Sequence, residues 1–327
     1  MHVMIIGAAG MIGRKLADAI AQGRWPGTAQ PTALTLVDVV EPTAPDGLPF
    51  QPDVMSIDLS QKGAAETLVK ARADIIVHLA AIVSGEAEAD FDKGYAINLD
   101  GTRDLFEAVR HAHNADGYTP RMVFTSSLAV FGAPFPDLIP DSFNLTPLTS
   151  YGTQKAIGEL LLEDYTRRGF FDGIALRLPT ICIRPGLPNK AASGFFSGIL
   201  REPLNGKEAV LPVDRDVRHF FASPRAAVGF LLHACTMDTA PMGHKRALTM
   251  PGLSATVAEQ IEALRRAAGE ETAALIRDEP DATIAGIVAG WPQNFDTTRA
   301  QKLGFQAEAS FDEIIAIYRE DEMGTGS

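Results

Sequence analysis

Cysteine is nearly missing: Cys182 and Cys235 are the only two in 327 residues, and both lie in apolar runs. That excludes a disulfide framework and favours a reducing, cytoplasmic setting. No cluster of histidine and cysteine has metal-ligand spacing, so no metal is expected. Positive charge is scarce as well. Lys and Arg total 29 against 41 acids, a formal net charge of −12, which sets the chain against nucleic acid and anionic membrane surfaces. No apolar run approaches the ~20 residues of a membrane span, and the first one breaks at Gly7, too early for a signal peptide. Repeats and low-complexity segments are absent too.

Apolar residues are plentiful at 46%, enough for one large core and a smaller lobe. Residues 2–6, 34–39, 54–59, 74–81, 122–127 and 173–183 read as strands. Helical spacing appears between them at 11–22, 64–72, 91–113 and 151–168. Continuous apolar strands separated by helices predict an α/β fold, a Rossmann-type doubly wound parallel sheet covered on both faces. After Ile183 the run R-P-G-L-P-N-K brings Pro and Gly unsuited to a sheet interior, so a smaller C-terminal α+β substrate lobe is expected. The expected division is residues 1–183 as the cofactor domain, with about 217–250 returning to it, and 184–216 plus 251–321 as the substrate lobe. Short runs such as 246–250 could return to the first sheet. Later helices are expected at 224–236, 257–267 and 311–320, and a frayed tail at 322–327.

Gly7, Gly10 and Gly13 lie between the first strand and the first helix, where glycines allow a tight turn and the close approach of a pyrophosphate. Their spacing differs from G-x-G-x-x-G. Asp38 closes the second strand near the ~20-residue distance expected of a carboxylate that accepts ribose hydroxyls. No Arg follows it to accommodate a 2′-phosphate, which favours NAD over NADP. Asp58 and Leu59, at the end of the third strand, could meet the adenine. Tyr151 and Lys155 stand four apart, so on a helix their Cβ atoms lie about 5–6 Å apart. A neighbouring ammonium is expected to draw the tyrosine pKa down from about 10 towards working pH and make it a base.

Together these residues resemble the extended short-chain dehydrogenase/reductase family over essentially the whole chain. The family's fourth-strand motif looks like H-L-A-A at His78 to Ala81, its helix motif like N-L-D-G-T at Asn98 to Thr102, and its fifth-strand motif like F-T-S-S-L-A-V-F-G at Phe124 to Gly132. The resemblance implies an NAD cofactor and three catalytic groups. Tyr151 is the base, Lys155 lowers its pKa and holds the nicotinamide ribose, and Ser127 bonds the reacting oxygen, with Thr125 a weaker alternative for the serine. It places the cofactor against Gly7, Gly10, Met11, Ile12, Gly13, Asp38, Asp58, Leu59, Leu79, Ala80, Ala81, Asn98, Ser126, Tyr151, Lys155, Pro179 and Ile181. Phe131-Gly132 stands where sugar-nucleotide members carry Tyr-Gly, a change expected to affect packing only.

The segment 184–208, with D-V-R-H-F-F-A-S-P-R at 216–225, closely resembles a branch of that family that oxidises the C2 hydroxyl of a four-carbon sugar acid. Candidates for meeting such a substrate are Ser84, Ser127, Tyr151, Asn189, Lys190, Ser193 and, as the first choice of cation for its carboxylate, Arg218. Arg218 could instead be held by Asp214 or Asp216. The resemblance further implies a homodimer built on helices 91–113 and 151–168. A nucleotide-sugar epimerase or dehydratase is the competing activity, and a non-catalytic NAD-sensing protein the third class.

Overall fold

Strands that are apolar at every position bury both faces only in the middle of a layered sheet. In the computed structural model, which describes residues 1–186 and 192–324, they do so. A seven-stranded sheet has the order Ala247–Thr249, Asp172–Leu178, Arg121–Ser127, Ile75–His78, His2–Ile6, Ala33–Asp38, Asp53–Ser56. His2–Ile6 runs parallel to both neighbours, with Val3 opposite Leu34 on one side and Ile75 on the other. The chain winds outward from this strand in one direction and then returns to wind in the other. The crevice beyond the carboxyl ends of His2–Ile6 and Ile75–His78 is therefore the switch point where such folds bind ligands.

The chain separates into two compact units. Unit 1 comprises Met1–Val130, Thr149–Arg177 and Val228–Leu248. Its core packs Met4, Ile6, Ile76, Phe124 and Leu162 with Phe106, whose ring lies 5.1 Å from that of Phe171. Unit 2 comprises Phe131–Leu148, Leu178–Ala227 and Thr249–Ser327. It holds a three-stranded sheet of Leu253–Thr256, Arg218–Ala222 and Thr180–Ile181, and two short strand pairs. Phe196, Phe221 and Phe311 form its aromatic centre. His219 stacks on Phe196 at 5.1 Å, and burial pushes its pKa down to about 3, so it is a neutral core histidine.

Several boundaries differ from expectation. The strand expected at 173–183 ends at Leu178, because Pro179 has no N–H for a ladder, and Thr180–Ile181 pairs instead with Arg218–Ala222. That strand also shows that 217–222 does not rejoin the large sheet, whereas Ala247–Thr249 does. The third strand stops at Ser56, so Asp58 and Leu59 stand in the turn beyond it. The helix expected at 91–113 is helical throughout but holds a wide π-turn at Tyr95–Asp100 between Phe91–Gly94 and Gly101–Asp116. Phe311–Tyr318 continues into Arg319–Met323, where Arg225 pairs with Glu320 at 2.8 Å and also with Asp321. Order thus extends into the expected tail. Among the described residues no helix is long and apolar enough to cross a membrane.

Candidate active site

The glycine turn is held mainly by backbone bonds, with the Asp38 carboxylate accepting from Ala9 N. Gly7 and Ala8 donate to the Val37 carbonyl at 2.8 and 3.0 Å, while Leu79 and Ala80 donate to that of Ile6 at 2.7 and 3.0 Å. Gly7 has φ +96°, and a Cβ there would stand 2.7 Å from the Ala80 nitrogen. A Cβ on Gly13 would strike the Gly7 carbonyl and come within 2.7 Å of the Ala8 Cα. The glycines thus bring three backbone segments together around the start of helix Met11–Ala21. No side chain caps that helix and no acid lies in its first turn, so its N–H groups remain suited to a phosphate.

A cleft of about 590 Å³ opens here, lined by Gly7, Gly10, Asp38, Asp58, Leu59, Leu79, Ala80 and Ala81 among others. The Asp38 carboxylate accepts from Ala9 N at 2.9 Å and Val39 N at 2.7 Å, which fixes it at the cleft wall. Asp58 accepts from the Ser60 hydroxyl and amide, and these bonds hold its pKa below the ordinary carboxylate value. Met11 and Ile12 begin the helix behind Gly10 and do not line this cleft. Sequence reasoning missed Val39 and Val40, which line the cleft while 64% and 60% exposed, and also Ile57, Ile82, Ile97 and the Glu86–Lys93 pair. Two valines following a strand-end acid, where polar turn residues are usual, were the available signal.

Asn98 reaches the cleft indirectly. It lies on the π-turn, a feature that collects at functional sites. The Ile82 N–H must donate and its C=O must accept, so the two bonds orient the Asn98 amide unambiguously, at 2.9 and 3.1 Å. Its Nδ2 also donates to Gln154 Oε1 at 2.8 Å. Asn98 therefore clamps a cleft-lining loop to the helix that carries Tyr151 and Lys155.

That helix, Ser150–Arg167, starts at Thr149, whose side chain accepts from Gly152 N. It lies against strand Arg121–Ser127, and the two elements bring Ser127, Tyr151 and Lys155 together. Lys155 is 2% exposed. Its Nζ donates to the Thr125 carbonyl at 2.8 Å, 4.7 Å from the Phe124 ring centroid and 5.8 Å from that of Tyr151. Burial pushes its pKa down to about 7, with Glu159 opposing. The Tyr151 phenol is pushed up by burial, opposed by a hydrogen bond with Ser127. This corrects the expected electrostatics. The ammonium is directed at a backbone carbonyl, and desolvation dominates the phenol.

Ser126, expected near the cofactor, instead donates its hydroxyl to Glu159 Oε1 at 2.5 Å, and Arg177 grips the same carboxylate at 2.7 Å in a buried pair. Thr125 donates to the His78 carbonyl, so neither hydroxyl is free for a substrate. His78 bonds Thr102 at 2.8 Å and, with its pKa pushed down by burial to about 3, remains neutral. Ser84 begins helix Ser84–Ala89.

In unit 2, Pro179 precedes the short strand Thr180–Ile181, on which Ile181 lies. Arg218 donates to the Ser254 carbonyl at 3.1 Å and faces Glu259 at 3.5 Å; its acid is thus neither Asp214 nor Asp216. Ser193 precedes helix Gly194–Leu204 and accepts from Arg184 Nη2 at 2.9 Å. Asn189 and Lys190 lie outside the described residues.

Comparison with known proteins identifies the family. The NAD dependent epimerase/dehydratase family matches residues 3–239. The chain is 47% identical over 325 residues to a D-erythronate dehydrogenase of Cupriavidus necator, covering 98% of each protein. To a D-erythronate dehydrogenase of Haemophilus influenzae it is 41% identical, covering 99% of this chain and 100% of that one. Among solved structures, a protein from Agrobacterium tumefaciens described as a nucleoside-diphosphate-sugar epimerase has a TM-score of 0.98 at 62% identity, over 100% of this chain and 95% of that one. A glycine cradle that a Cβ would fill, a carboxylate at the second strand end and the Ser-Tyr-Lys group suit NAD as cofactor. The chain belongs to the NAD-dependent epimerase/dehydratase family and is an NAD-dependent enzyme working on a CH–OH carbon.

Proposed function

We propose that the protein oxidises the C2 hydroxyl of D-erythronate to the ketone, giving 2-oxo-tetronate, with Tyr151 as general base. The observation that carries this reading is full-length identity of 47% and 41% to two D-erythronate dehydrogenases, together with the Ser127, Tyr151 and Lys155 cluster. NAD, when bound, supplies the hydride acceptor. Gly7, Gly10 and Gly13 would hold its pyrophosphate and Asp38 the adenosine ribose, with Asp58 and Leu59 beside the adenine. Ser127 donates a hydrogen bond to the C2 oxygen and holds it against Tyr151, which takes the hydroxyl proton. Lys155 would hold the nicotinamide ribose. The hydroxyl oxygen loses its proton and C2 loses its hydrogen as hydride, leaving a carbonyl, so the products are the 2-keto acid, NADH and a proton.

The test is NADH absorbance on mixing the protein with NAD and D-erythronate. Tyr151→Phe is expected to lower kcat at least about 1,000-fold while leaving NAD binding within about threefold, since the ring stays and only the proton acceptor goes. Substantial residual turnover removes Tyr151 as the base. The name of the Agrobacterium relative favours a second reading, nucleotide-sugar epimerisation. Conversion of a UDP- or GDP-sugar without net NADH, and no NADH from any sugar acid, would establish that reading instead.

A further inference from the structure

Between Leu178 and Arg201 the sequence carries Arg184, Lys190 and Arg201 and no acid at all, in a chain whose net charge is −12. A buried cation, unlike a solvated one, is stabilised by a paired anion. Arg201 has one, since its Nη2 lies 2.6 Å from Glu202 Oε1 while its Nη1 donates to the Arg184 carbonyl at 2.8 Å. The buried Arg177 likewise faces Glu159. Arg184 is different. Its Nη2 donates to Ser193 Oγ at 2.9 Å and its backbone N to Ser197 Oγ at 3.1 Å, and no acid pairs with it among the described residues. Burial and the charge of Arg201 together push its pKa below the usual guanidinium value. Both are costs that a bound anion would remove.

A second element turns the same way. Helix Gly194–Leu204, 11 residues long, begins directly after Ser193 with no side-chain cap and no acid in its first turn. Its leading N–H groups, the Ser193 hydroxyl and the Arg184 fork are all donors that favour negative charge. Arg218 offers less, because Glu259 and the Ser254 carbonyl already face it.

We propose that Arg184 and Ser193 form a carboxylate-binding site of unit 2, in which the guanidinium grips the acid group of a small sugar acid and Ser193 donates its hydroxyl to it. The Ser193 oxygen already accepts from Arg184, which leaves its proton to give. The proposal rests on the sugar-acid reading above and names the residues that select for an acid over a neutral polyol.

The experiment uses the full chain with NAD, comparing Arg184→Met, Arg184→Lys, Ser193→Ala and Arg218→Met on D-erythronate and on its neutral carboxamide. Arg184→Met is expected to raise KM for the acid on the order of 30- to 100-fold, and Arg184→Lys, which keeps charge but loses the fork, about tenfold. Binding of the carboxamide and of NAD is expected to stay within about threefold, which a merely structural loss would not allow. An unchanged KM in Arg184→Met, or an acid-specific rise in Arg218→Met alone, overturns the site. Should Arg184→Met fail to fold, Arg184→Lys and Ser193→Ala decide by the same acid-against-amide comparison. Wild-type protein that makes no NADH from D-erythronate removes the substrate reading alone. The site is then judged by calorimetry with D-erythronate and D-glycerate: binding lost in the Arg184 variants supports it, and equal binding, or none to wild type, overturns it.

Discussion

Lys155 occupies an unfavourable place for an ammonium, 2% exposed and bonded to a single backbone carbonyl. Its folded pKa of about 7 lies below the ordinary 10.5, so between those values the folded chain holds fewer protons than the unfolded one. The destabilising cost is complete below about pH 7 and is relieved as pH rises towards 10.5. Lys155→Met is therefore expected to raise the unfolding free energy by a few kcal/mol at pH 6 and by much less at pH 10, read by chemical denaturation. An equal gain at both values would mean that burial does not depress this amine. The spacing of Tyr151 and Lys155 was legible because four residues on a helix share a face. The sign of the Tyr151 shift was not, because it depends first on how deeply the fold buries the phenol and then on where Nζ is directed, and Thr125 lies some 30 residues away along the chain. Ser126 misled for a similar reason: Glu159 and Arg177 take its hydroxyl, and nothing in a Ser-Ser pair announces a buried carboxylate.

At the scale of elements, the glycine turn was the most legible part, since tight backbone approach admits no other residue. Gly13→Ala is expected to destabilise the protein by roughly 1–3 kcal/mol, as overpacking against rigid backbone does, and to weaken NAD binding at least tenfold. Gly229, inside helix Pro224–Thr236 with no atom within 4 Å of an added Cβ, provides the contrast. Gly229→Ala is expected to stabilise by about 0.5–1 kcal/mol, and thermal melts of the two variants moving in one direction would contradict both assignments. The parallel strands were readable from their unbroken apolar runs. The π-turn at Tyr95–Asp100 was hidden, because one extra residue in a turn leaves no local composition signal. The strand pairs of unit 2 were hidden too. Ile139–Pro140 and Phe295–Asp296 are two residues each and find each other across nearly half the chain's length, beyond the reach of local periodicity.

For the whole molecule, the exposed side chains Phe91 and Leu160, each 58% accessible, lie on the helices expected to join two copies. Leu160→Glu is expected to convert a dimer into a monomer in sedimentation velocity, because it places a charge where two apolar faces would meet. A monomeric wild type would remove the four-helix contact. The sheet order carries a consequence of another kind. The four adjacent strands Ile75–His78, His2–Ile6, Ala33–Asp38 and Asp53–Ser56 all come from the first 78 residues, and the cofactor cleft takes its lining from Ile6 to Ile97. Tyr151 and Lys155 come later. During synthesis the ribosome thus releases every residue of the nucleotide cleft, and the strands that shape it, before it has made the helix that does the chemistry.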